Sequence, residues 1–236
     1  MSWTDRGAIN HILKIRDIFK VKTFVETGTF KGMNVLAHKD NFNVILSCEK
    51  MKEYYNISIN KCKYIKNINI VNCDSKTFLK WFREKHNQLM KITHRKENVI
   101  FYLDAHFFVK DTKTNEERFV VLQELKALKG MKNAIIIIHD FDNGLGHITY
   151  DKISLDMNLL RKDLLKVNPN FHFYTNELSS CDIITLEEEG KIPESKVDMD
   201  RVDNLRYAWS KPDKTYRGIL YCVPKKINIE GLKEVK

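Results

Sequence analysis

The sequence predicts an α/β protein built on a doubly wound, mostly parallel sheet with helices on both faces. Strand-like and helix-like segments alternate along the chain with short connections, which is typical of this class. Two central segments, Val99–Leu103 and Ile135–Ile138, are continuously apolar and contain many β-branched residues. Such runs indicate parallel strands that are buried on both faces of a sheet.

The individual elements follow from local residue patterns. Ala8, Ile12, Ile15 and Phe19 form one apolar stripe at helical spacing and predict an N-terminal helix within residues 1–20. A glycine turn and a short helix through Ala37 are expected after the first strand. Seven segments have strand character: Thr23–Val25, Asn43–Cys48, Ile68–Val71, Val99–Leu103, Ile135–Ile138, Phe171–Thr175 and Gly218–Val223. Further helices are predicted from these apolar stripes: Tyr55, Ile59 and Cys62; Phe78, Phe82 and Leu89; Leu122, Leu125 and Leu128; Ile153, Met157, Leu160 and Leu164.

The late part of the chain is less regular. Ile183–Leu186 is a further strand candidate, and Glu187–Lys214 contains two prolines, mixed charges and no clean period. We therefore expect residues 187–214 to be a lid inserted between late strands, with an ordinary solvated loop as the alternative. Tyr207 and Trp209 within this segment are aromatic residues suited to stacking on a sugar ring or a base.

Length and composition indicate a soluble, cytoplasmic protein with a single domain over residues 1–236. Hydrophobic residues make up 43% of the chain and charged residues 30%, an ordinary globular mixture. No apolar run approaches the roughly 20 residues that a membrane span needs, and the N-terminus lacks the pattern of a secretory signal. The five cysteines are odd in number and form no close pair in the sequence, which favours a reducing compartment over a disulfide framework.

The net charge of +9 raises the question of a nucleic-acid partner. The basic residues are 31 lysines and only 9 arginines, and they are scattered along the whole chain. Arginine supplies the forked contacts that phosphate and base recognition favour, whereas lysine is a hydrated point charge. Nucleic acid is therefore disfavoured as a partner but stays open, and the sequence leaves the oligomeric state undecided, with a homo-oligomer among the possibilities.

The first polar constellation follows the first strand. The segment reads Glu26-Thr27-Gly28-Thr29-Phe30-Lys31-Gly32, and Glu49 ends the second strand 23 residues after Glu26. Dinucleotide-binding folds place an acid about 20 residues beyond a glycine turn, where it binds ribose hydroxyls. The glycine spacing here differs from the dinucleotide fingerprint, so a plain structural turn is the alternative.

The second polar constellation follows the two central apolar strands. Asp104 and His106 come after the first of them, and His139 and Asp140 come after the second. Ligands of open α/β sheets gather beyond the carboxyl ends of the strands, so these four side chains should converge in one crevice. They could bind a metal ion or move a proton, or they could simply satisfy one another through hydrogen bonds.

The order of elements and the Val25–Gly32 segment resemble class I S-adenosylmethionine-dependent methyltransferases, over roughly Thr23 to Val223. The resemblance implies a Rossmann-like, seven-stranded, mostly parallel sheet. It also implies that the glycine turn lies beside the methionine portion of the cofactor, that Glu49 holds the ribose, and that Asp74 with Ser75 lies near the adenine. The implied cofactor-binding residues are Glu26, Thr27, Gly28, Thr29, Gly32, Glu49, Asp74, Ser75 and Asp104. A helix cap is the alternative role for Asp74.

The acid and histidine pairs look like those of the metal-assisted sugar O-methyltransferases of macrolide-sugar and polysaccharide pathways. That group carries an Asp-Asp pair after strand five where this chain has His139-Asp140, which leaves the metal ligands open. The resemblance implies Mg²⁺ or Mn²⁺ held by Asp104, His139 and Asp140, because hard divalent cations prefer oxygen ligands. His106 or His139 is the expected catalytic base, since imidazole accepts a proton near neutral pH.

The resulting hypothesis is an S-adenosylmethionine-dependent O-methyltransferase that acts on a hydroxyl of a sugar or surface-glycan precursor. A phosphate-like or phosphoramidate decoration on a glycan is another possible acceptor. Two other functions compete with this hypothesis. One is an RNA or protein methyltransferase on the same fold, which the positive charge weakly favours although no Asn-Pro-Pro-Tyr-like motif follows strand four. The other is a non-catalytic α/β module that only binds a partner.

Overall fold

The computed structural model describes residues 6–93, 97–105, 114–144, 153–177 and 218–236. These ranges contain seven helices and eight strands. The helices are α1 (Arg6–Phe19), α2 (Met33–Ala37), α3 (Lys52–Cys62), α4 (Ser75–Thr93), α5 (Asn115–Arg118), α6 (Val120–Ala127) and α7 (Met157–Val167). The strands are β1 (Thr23–Thr27), β2 (Val44–Cys48), β3 (Ile68–Val71), β4 (Val99–Leu103), β5 (Ala134–Phe141), β6 (His172–Asn176), β7 (Gly218–Val223) and β8 (Leu232–Glu234).

All eight strands join one sheet in the order β3-β2-β1-β4-β5-β7-β6-β8. The first five strands pair in parallel. Strand β7 is antiparallel to both β5 and β6, and β8 is antiparallel to β6. The Rossmann-like arrangement is therefore confirmed, but the expected seven-stranded sheet is corrected to a mixed sheet of eight strands.

The physical reason for this correction lies in what an apolar pattern encodes. The run Gly218–Val223 is buried throughout, and such a run looks the same whichever direction the strand takes. Strand β8 has only three residues, two of them exposed, so it carries no periodic signal. Strand β8 pairs with β6, so the sheet ends on this short strand and not on β6. Short edge strands are one way in which proteins limit unwanted pairing with another chain.

Alternate residues of the central strands face two separate cores. One core contains Phe24, Ile100, Ile135 and Ile137 with side chains of α1 and α2, among them Ile12, Ile15 and Val35. The other contains Val25, Phe101, Ile136 and Ile138 with side chains of α4, α6 and α7, among them Phe78, Leu125 and Leu160. This alternation confirms that β4 and β5 are buried on both faces and that helices cover both sides of the sheet.

Two helix predictions need adjustment, and one short helix was not predicted. The last helix was expected from Ile153, but Asp156 caps α7 by accepting a hydrogen bond from Leu159 N at 3.0 Å, so the helix begins at Met157. Leu89 on α4 is 53% exposed, because this 19-residue helix extends beyond the core that buries Phe78 and Phe82. The short helix α5 has no apolar stripe; its N-terminus is a capping box between Thr114 and Glu117.

Some expectations fall on residues outside the described ranges. These are the strand candidate Ile183–Leu186, the lid at residues 187–214 and His106. Among the described helices, none is both long and apolar enough to cross a membrane.

Candidate functional site

The polar residues of the two constellations that the structure describes lie along one edge of the sheet. Thr27, at the end of β1, is paired in register with Cys48 of β2 and Leu103 of β4. Leu103 in turn pairs with Ile138 of β5. The residues that follow these positions therefore lie side by side at the carboxyl edge of the parallel strands, where open α/β sheets bind ligands.

The glycine turn closes over the end of β2. The backbone N–H groups of Gly28 and Thr29 both donate to the Cys48 carbonyl, at 3.0 and 3.1 Å. Gly28 has a φ of +79°, and a Cβ there would lie 2.6 Å from the carbonyl oxygen of Asp104. Only glycine fits this position, since it allows the turn to approach the backbone that leaves β4.

Gly32 allows two helices to approach each other closely, and its expected place beside a ligand stays a prediction. It precedes α2 with a φ of +78°, and a Cβ there would lie 3.2 Å from Cβ of Ser58 on α3. The second glycine of the turn therefore lets α2 pack closely against α3, which fixes the direction in which the turn enters the helix.

Glu26 lies beneath the glycine turn with no exposed surface. Its carboxyl oxygens accept hydrogen bonds from Asn34 Nδ2 at 2.7 Å and Ser47 Oγ at 2.9 Å. The Ser47 hydroxyl also lies 2.5 Å from Thr29 Oγ1, so the group links β1, β2 and α2. Burial raises the pKa of Glu26 to about 8, which makes it mainly uncharged at neutral pH.

Glu49 is held in a fixed orientation at the end of β2. One of its carboxylate oxygens accepts from Phe30 N at 2.8 Å and the other from Met51 N at 2.7 Å. Each carboxylate oxygen has two acceptor positions, so each can accept one further hydrogen bond. Two neighbouring hydroxyl groups of a ligand match this remaining capacity. We call the group of Glu26, Gly28, Thr29 and Glu49 the β1–β2 corner.

Asp74 caps helix α4. Its Oδ1 accepts a hydrogen bond from Thr77 N at 3.0 Å, so the helix-cap alternative is confirmed. Partial burial acts to raise the pKa of Asp74, but the hydrogen bonds from Thr77 outweigh it and hold the pKa below its usual value. Ser75 is the first residue of the helix, and the expected adenine contact of both residues stays a prediction.

Asp104, His139 and Asp140 come together at the ends of β4 and β5, as expected from the sequence. They are 1%, 1% and 7% exposed, respectively. His139 Nδ1 lies 3.5 Å from Asp104 Oδ1 and 3.2 Å from Asp140 Oδ1. We call these three residues the acid–histidine cluster. His106, the fourth member expected from the sequence, lies outside the described residues.

A bulge in β5 delivers two of these side chains, and the sequence analysis missed it. Ile138 pairs with Leu220 and Phe141 with Gly218, so β5 contains one residue more than β7 in this interval. Asp140 lies in the bulge with a left-handed φ of 58°. A Cβ on Gly218 would lie 2.0 Å from the Phe141 carbonyl oxygen, so only glycine fits opposite the bulge. A glycine at the start of β7 was therefore the feature of the sequence that could have indicated the bulge.

The donor set of the acid–histidine cluster fits a divalent cation. Both carboxylate oxygens of Asp104 are buried and accept no hydrogen bond from any residue that the structure describes. One donor atom from each of the three residues lies within 4.8 Å of the others. Ligand atoms at right angles around an ion with bonds of about 2.1–2.5 Å lie about 3.0–3.5 Å apart. The two distances from His139 Nδ1 agree with such an arrangement.

Asn34 and Ser47 are site residues that the sequence analysis also missed. Both donate to Glu26, one from α2 and one from its in-register neighbour on β2. Ser47 could have been found by aligning the ends of the first two strands. Asn34 carries no comparable signal, because asparagine at the start of a helix is common for other reasons.

Comparison with known proteins identifies the fold. No protein-family model matches the sequence, and no curated protein matches it either. A crystal structure from Galdieria sulphuraria, assigned as a sarcosine dimethylglycine methyltransferase, is similar over 93% of this chain and 84% of its own, with a TM-score of 0.50 and 10% identity. A SAM-dependent methyltransferase from Archaeoglobus fulgidus is similar over 92% of this chain and 93% of its own, with a TM-score of 0.47 and 11% identity. The first of these similarities establishes the Rossmann-like fold of class I methyltransferases.

Proposed function

We propose that residues 1–236 form an S-adenosylmethionine-dependent O-methyltransferase domain whose acceptor is a hydroxyl of a sugar or surface-glycan precursor. One observation carries the proposal: the acid–histidine cluster lies directly beside the glycine turn. A Cβ on Gly28 would lie 2.6 Å from the backbone of Asp104. A cofactor on the turn would therefore face buried carboxylates and an imidazole, which are the groups that methyl transfer to a hydroxyl needs.

The β1–β2 corner would hold the cofactor. Glu49 is the proposed ribose ligand, because both of its carboxylate oxygens are oriented and each has acceptor capacity left. Glu26, Thr27, Thr29 and Gly32 would act mainly by shaping the turn, since all four are buried. Asp74 and Ser75 would lie near the adenine. When bound, S-adenosylmethionine supplies an electrophilic methyl group.

Asp104, His139 and Asp140 are the proposed ligands of Mg²⁺ or Mn²⁺. A bound divalent cation stabilises negative charge on an acceptor oxygen. His139 Nδ1 lies close to a carboxylate oxygen of both Asp104 and Asp140, which favours the role of a metal ligand for this histidine. His106 is therefore our first choice for the base that takes the acceptor proton.

Calorimetric titration with S-adenosylhomocysteine, with and without a chelator, tests both halves of the proposal. We expect binding in both conditions, because the β1–β2 corner contains no metal ligand. Methyl transfer to sugar hydroxyl acceptors should stop in the chelator and return with Mg²⁺ or Mn²⁺. Absence of S-adenosylhomocysteine binding would contradict the cofactor assignment and favour a non-catalytic module.

Full methyl transfer in chelator would contradict the metal role and leave a histidine base acting alone. A matched acceptor panel with glycan precursors and RNA decides the acceptor class. Binding of RNA that weakens steeply with salt, together with methylation of RNA, would favour the alternative of an RNA methyltransferase.

A further inference from the structure

Two cysteines meet where β2 and β3 end. Cys48 is the last residue of β2 and pairs in register with Val71, the last residue of β3. Cys73 follows two residues later and packs against the same apolar cluster that contains Cys48. Both thiols are free, and their side chains interact with each other. The pair is separated by 25 positions in the sequence, so only the sheet brings it together.

The backbone around the two thiols frames the β1–β2 corner. The Cys48 carbonyl accepts the N–H groups of Gly28 and Thr29, and Glu49 is the next residue. On the other side, Asn72 Nδ2 donates to the carbonyl oxygens of Glu49 at 2.7 Å and Lys50 at 3.1 Å. A change in the distance between the two cysteines would therefore move the segments that orient Glu49.

We propose that Cys48 and Cys73 are an oxidation site at which a peroxide forms a disulfide and thereby weakens cofactor binding. The disulfide is argued from the contact between the two cysteine side chains, whereas its effect on the cofactor rests on the proposed function. A disulfide at this place would be a reversible, redox-sensing one, which is the usual kind in a reducing compartment.

The two thiols differ in exposure and in pKa, and both differences matter for oxidation by a peroxide. Cys73 is partly exposed, while Cys48 is 1% exposed. The interaction with Cys48 lowers the pKa of Cys73, and burial raises the pKa of Cys48. Cys73 is therefore the thiol that an oxidant reaches and the one that forms a thiolate more readily, which makes it the first nucleophile.

The reaction balances with hydrogen peroxide as the oxidant. The Cys73 thiolate attacks one peroxide oxygen, the O–O bond breaks, and a sulfenic acid and hydroxide form. The Cys48 sulfur then attacks the Cys73 sulfur and displaces the sulfenic oxygen as a second hydroxide. The Cys48 proton and the proton that Cys73 released on forming its thiolate convert the two hydroxides to water. In total, two thiols and one peroxide give one disulfide and two water molecules.

The disulfide should distort the corner, because a covalent sulfur–sulfur bond is much shorter than any contact between two thiols. Closing that distance draws the end of β3 toward Cys48 and shifts the carbonyl that accepts Gly28 and Thr29. We expect affinity for S-adenosylhomocysteine to fall about tenfold on oxidation and to recover fully with a thiol reductant.

The full-length protein is treated with hydrogen peroxide, and peptide mass spectrometry then maps the disulfide before calorimetry with S-adenosylhomocysteine. The Cys73→Ser variant should bind the ligand normally and show no change with peroxide. Cys48→Ala provides a second variant, since a buried serine at this position could destabilise the sheet. Cys62→Ala is the matched control, because Cys62 is also a buried free cysteine and its loss should leave the response intact.

A missing Cys48–Cys73 disulfide after oxidation would overturn the proposed site. A mapped disulfide with unchanged affinity would overturn its effect on the cofactor. If the reduced protein fails to bind S-adenosylhomocysteine, the proposed function fails, while the mass-spectrometric result still decides whether the oxidation site exists.

Discussion

The β1–β2 corner and the acid–histidine cluster lie side by side but differ in how their buried carboxyl groups are hydrogen-bonded. In the corner, Glu26 accepts from two side chains and Glu49 from two backbone N–H groups. In the cluster, the Asp104 carboxylate accepts no hydrogen bond from the described residues, and Asp140 has a left-handed backbone.

This difference separates a scaffold from a reactive centre. A carboxylate that is buried without hydrogen-bond donors costs several kcal/mol unless a partner neutralises it. Backbone strain adds about 1–3 kcal/mol and concentrates at functional sites. Backbone strain occurs in both regions, because Phe30 in the glycine turn has a φ of 49°. What distinguishes the cluster is the buried Asp104 carboxylate, which accepts no hydrogen bond from the described residues. We infer that the corner orients a ligand and that the cluster holds the reactive groups.

The largest effect is expected from Glu49→Ala in the corner. The variant removes an acceptor for two ribose hydroxyls, and each hydrogen bond to a charged group contributes about 1.5–3 kcal/mol. Affinity for S-adenosylhomocysteine should therefore fall roughly 10²–10⁴-fold in calorimetry. The matched control is Glu53→Ala, which removes an exposed glutamate from the first turn of α3. Equal affinities for wild type and the Glu49 variant would remove the ribose assignment.

Asp140→Asn tests the acid–histidine cluster, where we expect methyl transfer to be lost while cofactor binding is kept. The substitution keeps the shape of the side chain but removes the charge that would hold a divalent cation, so methyl transfer should fall at least about 100-fold. Binding of S-adenosylhomocysteine should not change, because Asp140 lies outside the corner. The variant should also be insensitive to chelator. Normal turnover by Asp140→Asn would show that the cluster serves only structure.

The two regions also differ in how far the sequence could predict them. Glu49 was predictable because a strand end and a spacing of 23 residues are both visible in the sequence. The convergence of Asp104 with His139 was predictable because adjacent buried parallel strands end level with each other. Both predictions depend on position along a strand, which apolar patterns locate well.

The missed features depend instead on local geometry. The bulge at Asp140 adds a single residue to β5, and the antiparallel direction of β7 leaves no trace in its apolar run. The hydrogen bonds that Asn34 and Ser47 donate to Glu26 arise from three elements that meet only in the folded chain. Such contacts are set by tertiary packing, which a residue pattern does not encode.

His38 refines the comparison, because it is a buried polar group without a ligand role. It lies between Phe24 and Phe42, and neither ring nitrogen has a hydrogen-bond partner among the described residues. Burial, together with the nearby positive charge of Arg16, lowers the pKa of His38 from 6.5 to about 4. Unlike a carboxylate that must stay charged to bind a cation, this imidazole is simply neutral.

The sign of the resulting pH dependence follows from that lowered pKa. Between pH 4 and 6.5 the unfolded chain binds a proton at His38 that the folded chain does not, so unfolding is favoured as the pH falls. The resulting loss of unfolding free energy reaches about 3 kcal/mol near pH 4. His38→Leu should remove this loss of stability. The measurement is the difference in unfolding free energy between the variant and wild type at each pH. The difference between the two proteins isolates His38 from Glu26, whose raised pKa acts in the opposite direction.

The smallest expected effect is the most discriminating one. Asp140 has a φ of 58°, a conformation that costs a residue with a Cβ about 1–2 kcal/mol and costs glycine nothing. Asp140→Gly should therefore raise the unfolding free energy by about 0.5–1 kcal/mol, after allowance for the greater freedom of glycine in the unfolded chain. It should at the same time abolish methyl transfer.

Lys20→Gly is the matched control, since exposed Lys20 also has a positive φ of 52° and its replacement should stabilise the protein without affecting transfer. A loss of stability in Asp140→Gly would mean that the carboxylate supports the fold, and the contrast between the two regions would then fail.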